Sequence, residues 1–220
     1  MKEEIFTGLK DLFFPQKCVL CRKLLKSRQR HICPECAKSA PENTRGLITD
    51  TGEFFSGCTA PYRYDGVVRE AVHRYKFNNL QGYCEFFGEK VAEVVDRDLA
   101  GKFDIITWVP LSKAGRRKRG YDQAMLLAMA TALNLNDVAA ETLRKIKNTM
   151  AQSGMTGAAE RRANVMGAYE VTDEELIRDK RVLVIDDVMT TGATLGECAR
   201  TLLMAGAKEV WCAVFAYAGK

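Results

Sequence analysis

Downstream of residue 57, apolar and polar positions alternate between two periods. CTAPYRYDG (58–66) predicts a strand and turn, VVREAVHRYKF (67–77) a helix, and residues 81–99 a second helix. FDIITWVP (103–110) has the continuous apolar character of a buried strand, which Pro110 ends. YDQAMLLAMATAL (121–133) is helical and DVAAETLRKI (137–146) predicts a strand. The polar stretch 147–165 is expected to be a mobile loop, followed by a short strand, GAYEV (167–171). KRVLVIDDV (180–188) is a strongly apolar strand, TLGECARTLLMAGA a helix that Gly206 ends, and KEVWCAVFAYA (208–218) a closing strand. Strands and helices in alternation predict an α/β domain around a mostly parallel sheet.

Upstream the pattern is weaker. Ile5, Leu9, Leu12 and Phe13 fall on one helical face, suited to packing on the rest of the protein or, with a stronger moment, to lying on a membrane. Residues 38–56 are rich in turn formers and predict a linker. The expected division is therefore 1–50, a helix and a small module with its linker, and 51–220, the α/β domain.

Charge adds to this division. Residues 1–45 hold ten Lys/Arg against five Asp/Glu, and the remainder holds 23 of each, so the formal excess of +5 lies at the N-terminus. Such a face suits nucleic acid or an anionic membrane, or simply solvent. No apolar run approaches the roughly 18 residues of a membrane span, and the N-terminus lacks a secretory h-region, so a cytoplasmic protein is expected. Eight cysteines are then not a disulfide framework. Cys18 and Cys21, an interval of 11 residues, then Cys33 and Cys36 make two Cys-x-x-Cys pairs. That spacing fits a tetrahedral structural Zn²⁺ site better than redox cysteines. His31 is close enough to be a ligand, but four thiolates leave it a neighbour.

The main chemistry lies in VLVIDDVMTTGATL (182–195). Two carboxylates, Asp186 and Asp187, end a buried strand, and a Thr/Gly turn leads into a helix. Ligands of parallel α/β sheets bind at the carboxyl ends of strands, where the next helix presents free N–H groups. Gly192 allows close backbone approach, and Thr190, Thr191 and Thr194 add hydroxyls. The acids would repel a bare phosphate. They suit the vicinal diol of a sugar phosphate, or waters on a divalent cation. The Gly-Lys-Ser/Thr ending of a Walker A loop is missing, and so is a Rossmann fingerprint. A second cluster, Lys113, Arg116, Arg117, Lys118 and Arg119 after Ser112, also follows a strand end. It suits pyrophosphate, with a solvated face or a nucleic-acid patch as alternatives.

The 182–194 block resembles the signature of type I phosphoribosyltransferases for 5-phosphoribosyl-1-pyrophosphate (PRPP). The resemblance implies that fold, with Asp186 and Asp187 on the ribose 2′ and 3′ hydroxyls. It places Thr190, Thr191, Gly192, Ala193 and Thr194 around the 5-phosphate, and Val188 in the same PRPP site. VPLSKAGRRKRGYDQ, QSGMTGAAERRANVMGAY, YRYDGVVREAVHRYKF and the FPQKC start together resemble the ComF family over nearly the whole chain. That family joins a four-cysteine zinc module to a phosphoribosyltransferase domain and is linked to natural DNA uptake.

The resemblance implies PRPP with Mg²⁺ as ligand, and pyrophosphate contacts from Ser112, Lys113, Arg116, Arg117 and Arg119. It places Gln152, Arg161 and Asn164 on or beside a loop closing over the site, and makes single-stranded DNA and the uptake machinery, at the inner face of the membrane, conceivable partners. Ser112 stands where many relatives carry His, and Tyr121-Asp122-Gln123 replaces the commoner Phe-Asn-Gln. Lys76 is a weaker candidate for the same site, an ordinary helix-end cation being the expected reading. Three functions fit: a transferase, a single-strand-binding accessory, and a PRPP sensor without turnover. No base-specific hood is recognisable.

Overall fold

In the computed structural model, residues 16–26, 29–49, 53–147, 149 and 157–219 are described. The stripe expected over 4–14 lies outside them. Five strands run parallel: β1 (Gly57–Thr59), β2 (Tyr62–Arg63), β3 (Ile105–Trp108), β6 (Arg181–Met189) and β7 (Glu209–Tyr217). Their order is β1–β7–β6–β3, with β2 also pairing with β7. β4 (Leu143–Lys145) and β5 (Tyr169–Val171) form a separate antiparallel pair.

β6 explains the layering. Its side chains alternate, and both faces are apolar, as a central parallel strand requires. Leu183 and Ile185 join Ile106, Trp108 and Phe215 in one core, which α2 (Gly66–Phe77), α3 (Tyr83–Leu99) and α5 (Gln123–Asn134) cover. Val182 and Val184 join Val210, Cys212 and Val214 in the other, under α8 (Ala193–Met204) and the β4–β5 pair. Helices α3 and α5 approach closely at Gly88, where a Cβ would lie 2.5 Å from that of Ala130.

The N-terminal module is not a detached bead. Cys18, Val19, Leu20, Cys33 and Cys36 belong to the first core. Arg74 of α2 donates to the carbonyls of Val19 and Leu20. A short helix, α1 (Pro34–Ser39), carries Cys36. Residues 43–48 bond back to 58–61, through Asn43 N–H to Pro61 and a reciprocal Ile48–Cys58 pair.

Several elements differ from the expected pattern. The basic run, for which the pattern predicts no element, is a helix, α4 (Lys113–Arg119). Ser112 Oγ caps it by accepting from Gly115 N–H at 3.1 Å, and Gly120 closes it at φ +82°. Within the polar stretch 147–165, residues Ala158–Val165 form α6; after β5, Glu174–Ile177 form a short α7 capped by Asp173. The strand expected over 137–146 shrinks to β4, because Ala139 instead makes an isolated bridge to Ile106. Among the described residues no helix is long and apolar enough to cross a membrane.

Candidate functional site

β6 delivers the two acids to the carboxyl edge of the sheet. The chain then turns through Thr190–Gly192, with Gly192 at φ +80°, into the N-terminus of α8. A shallow, open depression lies there, lined by Asp186, Val188, Thr190, Gly192, Ala193 and Thr194 among others. Thr191 is half-buried and bonds locally, its Oγ1 accepting from Ala193 N–H at 3.4 Å. Behind the turn, Glu53 packs against α8. A Cβ at Gly192 would lie 3.2 Å from its Cγ, and one at Gly196 would strike its carboxylate. Helix α6 leans on the same structure: Arg161 Nη1 donates to Thr190 Oγ1 at 3.2 Å, and Arg162 Nε to Glu53 at 2.8 Å. Glu53 and Arg162 were not expected at the site, since nothing local in EFFS or ERRAN indicates the contact.

Strand alternation separates the acids. Asp186 faces the depression and the α8 layer. Asp187 faces the α2 layer and is nearly fully buried. The structure corrects the expectation for Lys76: its ammonium is not a solvent-facing helix end but lies 2.8 Å from Asp187 Oδ1. Asp186 Oδ1 accepts from Asp187 N–H at 2.8 Å. Burial first, and the charge of Asp187 second, push the Asp186 carboxyl up to about 8, against the opposing pull of Lys76. Burial lowers the Lys76 ammonium, but Asp187 and then Asp186 more than restore it, so its net shift is upward.

Around α4 the cations divide. Lys113, Arg117 and Lys118 are exposed. Arg116 lies 3.6 Å from the buried carboxylate of Asp122, which also accepts from Leu111 N–H and Met125 N–H. Arg119 is half-buried, packs its guanidinium 5.2 Å from the Phe77 ring, and has Nη1 without a partner among the described residues. Burial raises the Tyr121 phenol, with Arg119 lowering and Asp187 raising it, which ties α4 to the acid pair. Lys145 of β4 was not anticipated either. Burial lowers its ammonium, and Asp186 and Arg119 act on it in opposite senses. Asn164 is half-buried on α6, and Gln152 lies outside the described residues.

The four N-terminal thiols converge, with all Sγ atoms within 4.8 Å of one another and Cys21 Sγ 3.6 Å from Cys33 Sγ. Four sulfurs at about 2.3 Å from a tetrahedral ion would be spaced in this way. Cys33 N–H donates to Cys18 Sγ at 3.4 Å. Burial and three neighbouring thiols push Cys36 up, a penalty that a central divalent cation would reverse. His31 is not part of the cluster; its ring lies 6.0 Å from Phe86 and its Nε2 3.9 Å from Glu89.

Residues 122–220 match the phosphoribosyl transferase domain. Over 88% of its length the chain is 33% identical to Competence protein F of Haemophilus influenzae, covering 81% of that protein. The chain belongs to the ComF family. It is also 24% identical to Competence protein ComFC of Bacillus subtilis, over 86% of this chain and 78% of that one. Identity to the DNA utilization protein YhgH of Salmonella typhimurium is 26%, over 89% and 88%. The sheet is accordingly that of a type I phosphoribosyltransferase, and the cysteine cluster of this ComF chain is consistent with zinc. The matched domain includes Asp122, the acid pair, the turn and Arg161. Lys76, α4 and the cysteines lie upstream of it.

Proposed function

We infer that this ComF-family chain binds PRPP and transfers or senses its phosphoribosyl group. The observation that carries the reading is the joint placement of a carboxylate and a Thr/Gly turn around one open depression at a helix N-terminus. N–H groups at the start of α8 and the hydroxyls of Thr190 and Thr194 would hold the 5-phosphate. Asp186 and Asp187 would hold the ribose hydroxyls from either side of β6. Ser112, Lys113, Arg116, Arg117 and Arg119 are assigned to the pyrophosphate, with Arg161 closing over the turn. Mg²⁺ bound with PRPP would neutralise the leaving pyrophosphate. The chain's own residues position the sugar and shield its C1 while an acceptor displaces pyrophosphate. Cys18, Cys21, Cys33 and Cys36 would hold one structural Zn²⁺. Titration calorimetry of the full chain with PRPP and Mg²⁺ tests the reading. We expect binding by the wild type and none by the Asp186→Asn/Asp187→Asn pair; equal heats would refute the assignment. Pyrophosphate release across a panel of bases and oligonucleotides then separates transferase from sensor.

A second reading, a single-strand-handling accessory in DNA uptake, is favoured by the basic excess in residues 1–45. It requires oligonucleotide affinity that falls steeply with salt. Salt-independent or absent binding would remove it.

A further inference from the structure

Lys76 occupies the last turn of α2, where a lysine ordinarily extends its ammonium into water. Here the side chain is 23% exposed and turns inward to a carboxylate that is 3% exposed, across 2.8 Å. Tyr75, the residue before it, is fully buried and donates its hydroxyl to the Gln123 carbonyl at 2.7 Å, anchoring the end of α2 above β6. The two oxygens of Asp187 are thereby made unequal. Oδ1 is taken by Lys76, whereas Oδ2 is buried with no hydrogen-bond partner among the described residues. Leaving a buried carboxylate oxygen without a donor is costly, and such an atom at the carboxyl end of a parallel strand indicates a ligand donor. A lysine has donors only. It can fix one oxygen but cannot compete for a hydroxyl hydrogen at the other.

We propose that Lys76 is a positioning residue of the sugar-phosphate site, fixing Asp187 so that Oδ2 accepts from a ribose hydroxyl. The proposal rests on the PRPP reading above, and it assigns Lys76 no contact with phosphate. Without Lys76, Asp187 has two unfilled oxygens and no preferred rotamer, so selectivity for the hydroxylated sugar is lost while phosphate binding at the turn persists.

The test is calorimetric binding of ribose 5-phosphate, its 2-deoxy and 3-deoxy analogues, and inorganic phosphate to the full chain. Wild type is compared with Lys76→Met and Lys76→Arg. In K76M, affinity for ribose 5-phosphate should fall about tenfold or more, the worth of one hydrogen bond to a charged group. Inorganic phosphate should change by less than about twofold. The preference of the wild type for ribose 5-phosphate over one of the deoxy analogues should disappear in K76M and return in part in K76R. Should K76M fail to fold, K76R decides: its hydroxyl preference must fall below that of the wild type while phosphate binding stays within about twofold, and an unchanged preference overturns the inference. Two results overturn the inference: an equal loss for phosphate, meaning that Lys76 touches the phosphoryl group itself, or a hydroxyl preference that survives the substitution. Failure of the functional reading looks different, because the wild type would then bind no ribose phosphate at all.

Discussion

Replacing Asp186 by Asn should stabilise the empty protein, increasingly so as the pH rises from about 6 to about 8. The Asp186 carboxyl is pushed up from 3.8 to about 8, by burial first and then by the charge of Asp187. Between those values the folded chain retains a proton that the unfolded chain has released, so stability falls as pH rises. The contribution of the protonated carboxyl is complete below the unfolded value of 3.8 and lost as pH climbs through about 8. Integrated between pH 6 and pH 8, a single carboxyl of this kind corresponds to about 2 kcal/mol. Asp186 keeps a path to water through the depression it lines, which reduces the realised amount to about 1–2 kcal/mol.

An asparagine carries no such proton. Urea unfolding of the two proteins at half-unit pH steps reads the effect: groups remote from Asp186, the cysteine cluster included, cancel in the difference, whereas Lys76 and Lys145, which feel its charge, contribute to it. The difference in unfolding free energy should widen in favour of the variant across the range. A constant difference, or a variant less stable throughout, would show that Asp186 is neither buried nor crowded by Asp187 as described. If the same variant also weakens PRPP binding, as proposed, the carboxyl trades stability for function.

Two further outcomes follow from the packing. Gly88→Ala should destabilise the fold by about 1–2 kcal/mol in chemical denaturation: its Cβ would lie 2.5 Å from that of Ala130 and 2.9 Å from the Thr131 nitrogen, and overpacking outweighs the roughly 1 kcal/mol that alanine adds in helix propensity. An unchanged midpoint would mean that α3 and α5 separate freely. Metal analysis should find one zinc per chain in the wild type, with Cys21→Ser releasing it to a chromogenic chelator and lowering the thermal midpoint; full retention of metal by the variant would exclude the four-thiolate set.

What was legible in the sequence was local. VLVID and TTGAT identify the strand and turn because burial on both faces demands aliphatic residues and a close backbone approach demands Gly192. The cysteine cluster was legible because Cys-x-x-Cys spacing brings thiols together whatever surrounds them. The separation of Asp186 from Asp187 follows from the period of two along a strand, but which layer each meets depends on where α2 and α8 pack. The helical state of KAGRRKR was hidden, because seven residues with five cations show no apolar stripe. Its signals are confined to its ends, in Ser112 and Gly120. Lys76 and Glu53 were illegible for a stronger reason. Their partners, Asp187 and Arg162, are more than a hundred residues away, and a lysine at a helix end has the same sequence signature whether it meets water or a buried acid.

That distance gives α2 a role its own sequence does not announce. Arg74 binds the Val19 and Leu20 carbonyls of the cysteine hairpin, and Lys76, two residues on, binds Asp187. Tyr75 between them is anchored to the start of α5, whose capping residue Asp122 also meets Arg116 of the basic helix. A buried ion pair tolerates little displacement, since removing either partner leaves an uncompensated charge worth about 3–5 kcal/mol. Helix α2 therefore cannot shift on the sheet without disturbing the acid at the tip of β6, and it cannot do so freely while its arginine is fastened to the hairpin. The cysteine hairpin and the acid near the end of β6 are thus tied to Arg74 and Lys76 on one turn of helix, so the placement of the hairpin also helps to define where Asp187 stands.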